Sequence, residues 1–117
     1  MKTAAKRVPK PKPPLEKEIQ KQIVRFLNLR GWWVYSTSQG YRKERGGTRM
    51  TPGLSDLLAL RQTTSGPSIL FVEVKRPGGA IRPSQTMFLG QCRMAGIPAL
   101  AAYSLDDVRA YLEEQSK

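Results

Sequence analysis

The sequence predicts an α/β fold, a small mixed β-sheet flanked by helices in the order α-β-β-β-α-β-α. Three observations predict it. The run Ile69 to Val74 is almost continuously apolar, as expected of a central strand covered on both faces. Two stretches with apolar residues at helical spacing end at Gly31 and Gly96. The second of them lies between two short apolar segments, so it serves as the crossover that a parallel strand pair requires.

The first helix should start near Pro14 and run to Arg30, with Ile19, Ile23, Phe26 and Leu27 on one side. Lys17, Glu18, Lys21 and Arg25 fall on the opposite face, whereas Glu16 points into the middle of the apolar stripe. A carboxylate there is either partnered and functional, or a first-turn acid complementing the helix dipole; helix geometry alone fits both. Trp32 to Ser36, aromatic and β-branched, reads as the first strand. Asp56 to Leu60 reads as a second strand led by an acid, and Thr63 to Pro67 as a turn cluster. In the third strand, period two places Ile69, Phe71, Glu73 and Lys75 on one side and Leu70, Val72 and Val74 on the other. A second helix opens around Arg82-Pro83-Ser84, with Phe88, Cys92 and Ala95 on its apolar side. Pro98 to Tyr103 is the fourth strand, and Ser104 caps a last helix that runs to about Gln115.

The whole chain has 117 residues, with 20 Lys+Arg against 9 Asp+Glu and no histidine, a formal net charge of +11. That length suits one domain with one core. An excess of basic charge of this size calls for a polyanionic partner, and nucleic acid fits it best. No apolar run is long enough to span a membrane, and the composition reads as that of a cytoplasmic protein. A lone cysteine forms no internal disulfide. Without histidine there is no Ser/His/Asp triad, no Cys/His pair and no structural zinc site.

Residues 1–14 alternate Pro with Lys and carry no acid, so they read as an extended basic tail outside the folded domain, 15–117. The segment Gln39 to Gly53 places Arg42, Lys43, Arg45 and Arg49 among several glycines, with Tyr41 between them. A loop of that length and charge is suited to tracking phosphates.

Three acids and a lysine stand out: Glu16 on the first helix, Asp56 at the head of a strand, and Glu73 with Lys75 on the next. Antiparallel strands joined by a turn bring Asp56 and Glu73 together at their ends. Two close carboxylates repel unless a cation neutralises them, and hard oxygen ligands select Mg²⁺ or Mn²⁺. A lysine on the same face can orient an attacking water and offset phosphate charge. The pattern points to metal-assisted phosphodiester hydrolysis.

Glu16-x-x-Ile19-Gln20, Gly53-x-x-Asp56, Glu73-Val74-Lys75-Arg76-Pro77-Gly78 and Pro83-Ser84-Gln85 with Phe88-Leu89 resemble the virus-type replication-repair nuclease (VRR-NUC) domain, a branch of the PD-(D/E)xK nuclease superfamily. The resemblance spans about residues 15 to 105 and implies a restriction-endonuclease-like core. It implies Asp56, Glu73 and the Val74 backbone carbonyl as metal ligands and Lys75 as the catalytic lysine. Glu16 would act through water or a second metal, and Gln85 would orient active-site groups or substrate, the alternative for Gln85 being a hydrogen bond at the helix N-terminus. Arg76 and Arg82 join the loop residues as expected DNA contacts. The family often has Pro directly before the motif Asp; here it is Ser55, which implies altered local rigidity rather than lost metal binding.

The expected activity is that of a metal-dependent, structure-specific DNA endonuclease, by resemblance a homodimeric four-way (Holliday) junction resolvase in DNA repair, with no cofactor beyond the metal. A flap or nicking nuclease is the alternative within the enzyme class, and a non-catalytic DNA-binding module the alternative outside it. A basic RNA-binding protein is a third reading, but it gives Asp56 and Glu73 no purpose. By resemblance, the setting is the cytoplasm of a bacterial or virus-infected host cell. Trp32, Trp33, Phe71 and Phe88 are expected in the core or at interfaces, and Cys92 in packing.

Overall fold

The computed structural model describes residues 14–37 and 53–116. The tail, and the loop with Arg42, Lys43, Arg45 and Arg49, lie outside the described residues. The elements are α1 (Glu16–Leu29), β1 (Trp33–Ser36), β2 (Leu57–Thr63), β3 (Gly66–Val74), α2 (Pro83–Met94), β4 (Ala99–Ala102) and α3 (Leu105–Gln115). The four strands form one sheet in the order β1-β2-β3-β4, with β1–β2 and β2–β3 antiparallel and β3–β4 parallel. This is the mixed sheet of a restriction-endonuclease-like fold.

β2 and β3 are longer than their apolar runs. The ladder continues through Arg61↔Ser68, Gln62↔Pro67 and Thr63↔Gly66 into a two-residue turn. Backbone hydrogen bonding is indifferent to side-chain polarity, so hydropathy ends each strand early. At the other end β2 begins at Leu57, and Asp56 stands just ahead of it. α1 likewise starts at Glu16 rather than Pro14, and the Leu15 N–H donates to the Glu18 carboxylate at 3.3 Å.

The sheet divides the interior in two. On one face Leu57, Ala59, Leu70, Val72, Val74, Leu100 and Ala102 meet Ile19, Ile23 and Leu27 of α1 and Val108 of α3. On the other face Phe71, Ala99 and Ala101 meet Phe88, Leu89 and Cys92 of α2, with Phe71 and Phe88 edge to face at 5.1 Å. Thus β3 is covered on both faces at its carboxyl-terminal half. Ile69, nearer its start, is 39% exposed, so the expectation of full coverage fails there. α2 also leaves Trp33 and Tyr35 of the edge strand β1 exposed, so Trp33 is not a core residue, whereas Trp32 is buried. Cys92 is buried, and that burial raises its thiol pKa above the ordinary value.

The N-terminus of α3 is closed reciprocally. Ser104 Oγ accepts from the Asp107 N–H at 3.3 Å, while the Asp107 carboxylate accepts from the Tyr103 N–H at 2.8 Å. Among the described residues no helix is long and apolar enough to cross a membrane.

Candidate nuclease active site

The β2–β3 register fixes the centre of the site. Leu57 pairs with Val72, so one step further out Asp56 stands opposite Glu73, at the end of the ladder. Alternation puts both side chains on the α2 side of the sheet. Asp56 is held by its backbone and its side chain together. Its carbonyl accepts from the Thr37 N–H at 2.8 Å, and Oδ2 accepts from the Val74 N–H at 2.9 Å. The Thr37 hydroxyl also donates to the Ser55 carbonyl, which ties the end of β1 to the segment before β2.

Glu73 is only 1% exposed. Gln85, in the first turn of α2, donates Nε2–H to Glu73 Oε1 at 2.8 Å while its own Oε1 accepts from the Arg82 N–H at 2.8 Å. One amide therefore caps the helix and anchors the carboxylate. Glu73 Oε2 is buried without a hydrogen-bond partner. Burial, and then the adjacent Asp56 carboxyl, push the Glu73 pKa from 4.5 up to about 8; Lys75 opposes the rise and Glu16 adds to it. Two carboxyls so placed need a proton or a cation between them.

The site opens into a groove of about 1150 Å³, lined by Asp56, Lys75, Arg82 and Gln85, by Ser36, and by one side of α1. Lys75 extends the strand by one residue, its N–H donating to the Ala102 carbonyl at 2.9 Å.

Of the two readings that helix geometry left open for Glu16, its exposure agrees with the first-turn acid. It is exposed rather than embedded in the apolar stripe, because the buried stripe begins only at Ile19, and one turn earlier the same side opens onto the groove. Arg82 lines the groove, whereas Arg76, exposed in the turn after β3, is not among the residues that do. Lys17, Lys21 and Arg25, assigned from sequence only to the outer face of α1, also border the groove. Their i, i+4, i+8 spacing was the signal available for them.

Among the described residues no three Asp, Glu, Cys or His side chains cluster as a metal site. The protein donors at hand are two carboxylates and, by strand geometry, the Val74 carbonyl, which leaves β3 on the same side as the N–H bound to Asp56. Few ligands, all oxygen, with one buried oxygen lacking a donor, fit a hard divalent cation that keeps part of its water shell.

A mixed sheet with acids paired at the strand ends, a neighbouring lysine and a basic groove fits a nuclease domain of the restriction-endonuclease-like class. The family model described as VRR-NUC domain matches residues 15–106, and the chain belongs to that family. Domains of this type generally use divalent metals. No curated protein matches the chain closely enough to count as a relative.

Proposed function

We propose that this chain is a Mg²⁺- or Mn²⁺-dependent DNA endonuclease that recognises branched structure and acts as a homodimer on four-way junctions. The observation that carries the reading is the Asp56–Glu73 pair, set opposite each other at the strand ends beside Lys75, with Asp56 and Lys75 lining a groove. When bound, a divalent cation neutralises charge at the scissile phosphate and activates water for attack. Asp56, Glu73 and the Val74 carbonyl are the residues that would hold that cation. Gln85 fixes the orientation of Glu73. Lys75 orients the attacking water and offsets charge on the phosphate as the bond to the leaving oxygen breaks. Glu16, at the groove wall, acts through water or a second cation.

The junction reading rests on two physical points. Backbone-tracking charges read shape rather than sequence, and one site per chain cuts one strand, so paired incisions require two chains. The test is cleavage of labelled four-way junction, flap and plain duplex DNA with Mg²⁺, Mn²⁺ or EDTA. Paired, symmetric cuts in the junction alone are expected. Asp56→Ala, Glu73→Ala and Lys75→Ala should each lower the rate at least ~100-fold while leaving DNA binding in EDTA intact. Flap-only cutting would replace the resolvase reading with the flap nuclease, and binding without cutting in any metal would leave a DNA-binding module.

A further inference from the structure

Lys17, Lys21 and Arg25 stand one helical turn apart on α1, all exposed, and none has a carboxylate partner among the described residues. Like charges at i, i+4 repel and weaken a helix, and the acid on that face, Glu18, is turned back to accept from the Leu15 N–H, so three in a row work against local helix stability. Such contradictions concentrate where a ligand supplies the compensation. Here the compensation has a place. The three side chains border the same groove as Asp56 and Lys75, and Asn28 continues the wall beyond Arg25. From Lys17 to Arg25 the helix advances about 12 Å, with successive charges about 6 Å apart, a spacing comparable with that of neighbouring phosphates along a strand.

We infer that this side of α1 is a phosphate rail that guides one DNA strand into the site. The inference rests on the nuclease reading and adds to it the strand-guiding surface. The row begins beside Glu16, at the acidic end of the groove, and runs away from it. It therefore grips the strand on one flank of the scissile bond. Lysine and arginine aimed at phosphates carry no base information, which matches recognition by shape.

The test is DNA binding by fluorescence anisotropy in EDTA across a KCl series, with single Ala variants of the three residues, the triple variant, and Arg93→Ala on exposed α2 as the control. Each single variant should reduce the steepness of log K against log[salt] by about one, and the triple by about 2–3, with ~10–1000-fold weaker binding near physiological salt. In Mg²⁺ the triple variant should raise KM far more than it lowers kcat. Lys17→Arg with Lys21→Arg should bind as the wild type does. The three positions are exposed and alanine favours helix, so thermal melting should show a folded triple variant.

An unchanged salt slope in the folded triple variant, or a loss equal to that of Arg93→Ala, overturns the rail. If cleavage persists in that case, the nuclease reading stands without it. If the wild type cuts nothing in any metal but the triple variant still loses slope, the rail stands and the nuclease reading falls.

Discussion

With its pKa raised from 4.5 to about 8, chiefly by burial, Glu73 should carry a proton at neutral pH in the metal-free protein. Between those values the folded chain keeps a proton that the unfolded chain releases. Stability in EDTA should therefore decline as pH rises from about 4.5 and level off above about 8. Glu73→Gln, which cannot ionise, should melt higher than wild type at pH 8 in EDTA, show a flatter pH dependence and cut no DNA. If Mg²⁺ binds as proposed, it would take the proton's place, so wild-type cleavage should rise with pH across the same range. Melting curves and initial rates over pH check both. Gln85→Ala removes the donor to Glu73 and the acceptor for the Arg82 N–H together. It should cost about 1–3 kcal/mol in urea unfolding and lower kcat. Ser55 differs from both, since its buried hydroxyl has no hydrogen-bond partner. Ser55→Ala should be neutral or slightly stabilising.

At the scale of elements, Gly53 shows how the motif before Asp56 works. Its φ is +90°, and a Cβ there would overlap the Ser84 backbone carbonyl in the first turn of α2. The entrance to β2 thus lies flat against the helix that carries Gln85, and both halves of the site share one contact. Gly53→Ala should destabilise by about 1–3 kcal/mol in denaturant unfolding and reduce cleavage by displacing Asp56.

Much of this was legible in advance. The Ile69 to Val74 run located the central strand, and the turn signals and caps located all three helices. Antiparallel pairing across the turn cluster was enough to bring Asp56 and Glu73 together at the strand ends, and the β2–β3 register has that form. The position of Glu16 was not legible, because a helical wheel gives a side chain's direction and not where the neighbouring sheet ends. The Gln85–Glu73 bond was expected only as an orienting role by resemblance. That bond depends on the angle at which α2 meets the sheet, which sequence spacing does not encode, whereas the local bond to the Arg82 N–H, three residues back, matches the N-terminal helix hydrogen bond that was its alternative role.

For the whole molecule, the net charge of +11 has two opposite consequences. Self-repulsion weakens the folded state at low ionic strength, and added salt screens it. Raising KCl from ~0.05 to ~0.3 M should therefore raise the Tm of the free protein while weakening its grip on DNA. Paired melting and anisotropy measurements read the two signs directly. The apolar interior on the α1–α3 side is built from side chains of α1, α3 and the sheet, with Leu70 and Val72 fully buried within it. Leu70→Ala should cost about 2–5 kcal/mol, a large share of the stability of so small a domain.

The adjacent tryptophans face opposite environments. Trp32 is 5% exposed beneath the Arg61 guanidinium, 4.5 Å from its ring centre, while Trp33 on the edge strand is 61% exposed. Consecutive positions in the chain thus supply two optical reporters with separable signals. Trp33→Phe should leave a single emitter of short wavelength, shielded from acrylamide, whose red shift follows loss of the core. Trp32→Phe should leave a long-wavelength emitter, readily quenched, that reports on whatever approaches the open edge of the sheet. Light from one dipeptide can therefore follow interior and edge independently, without any added label.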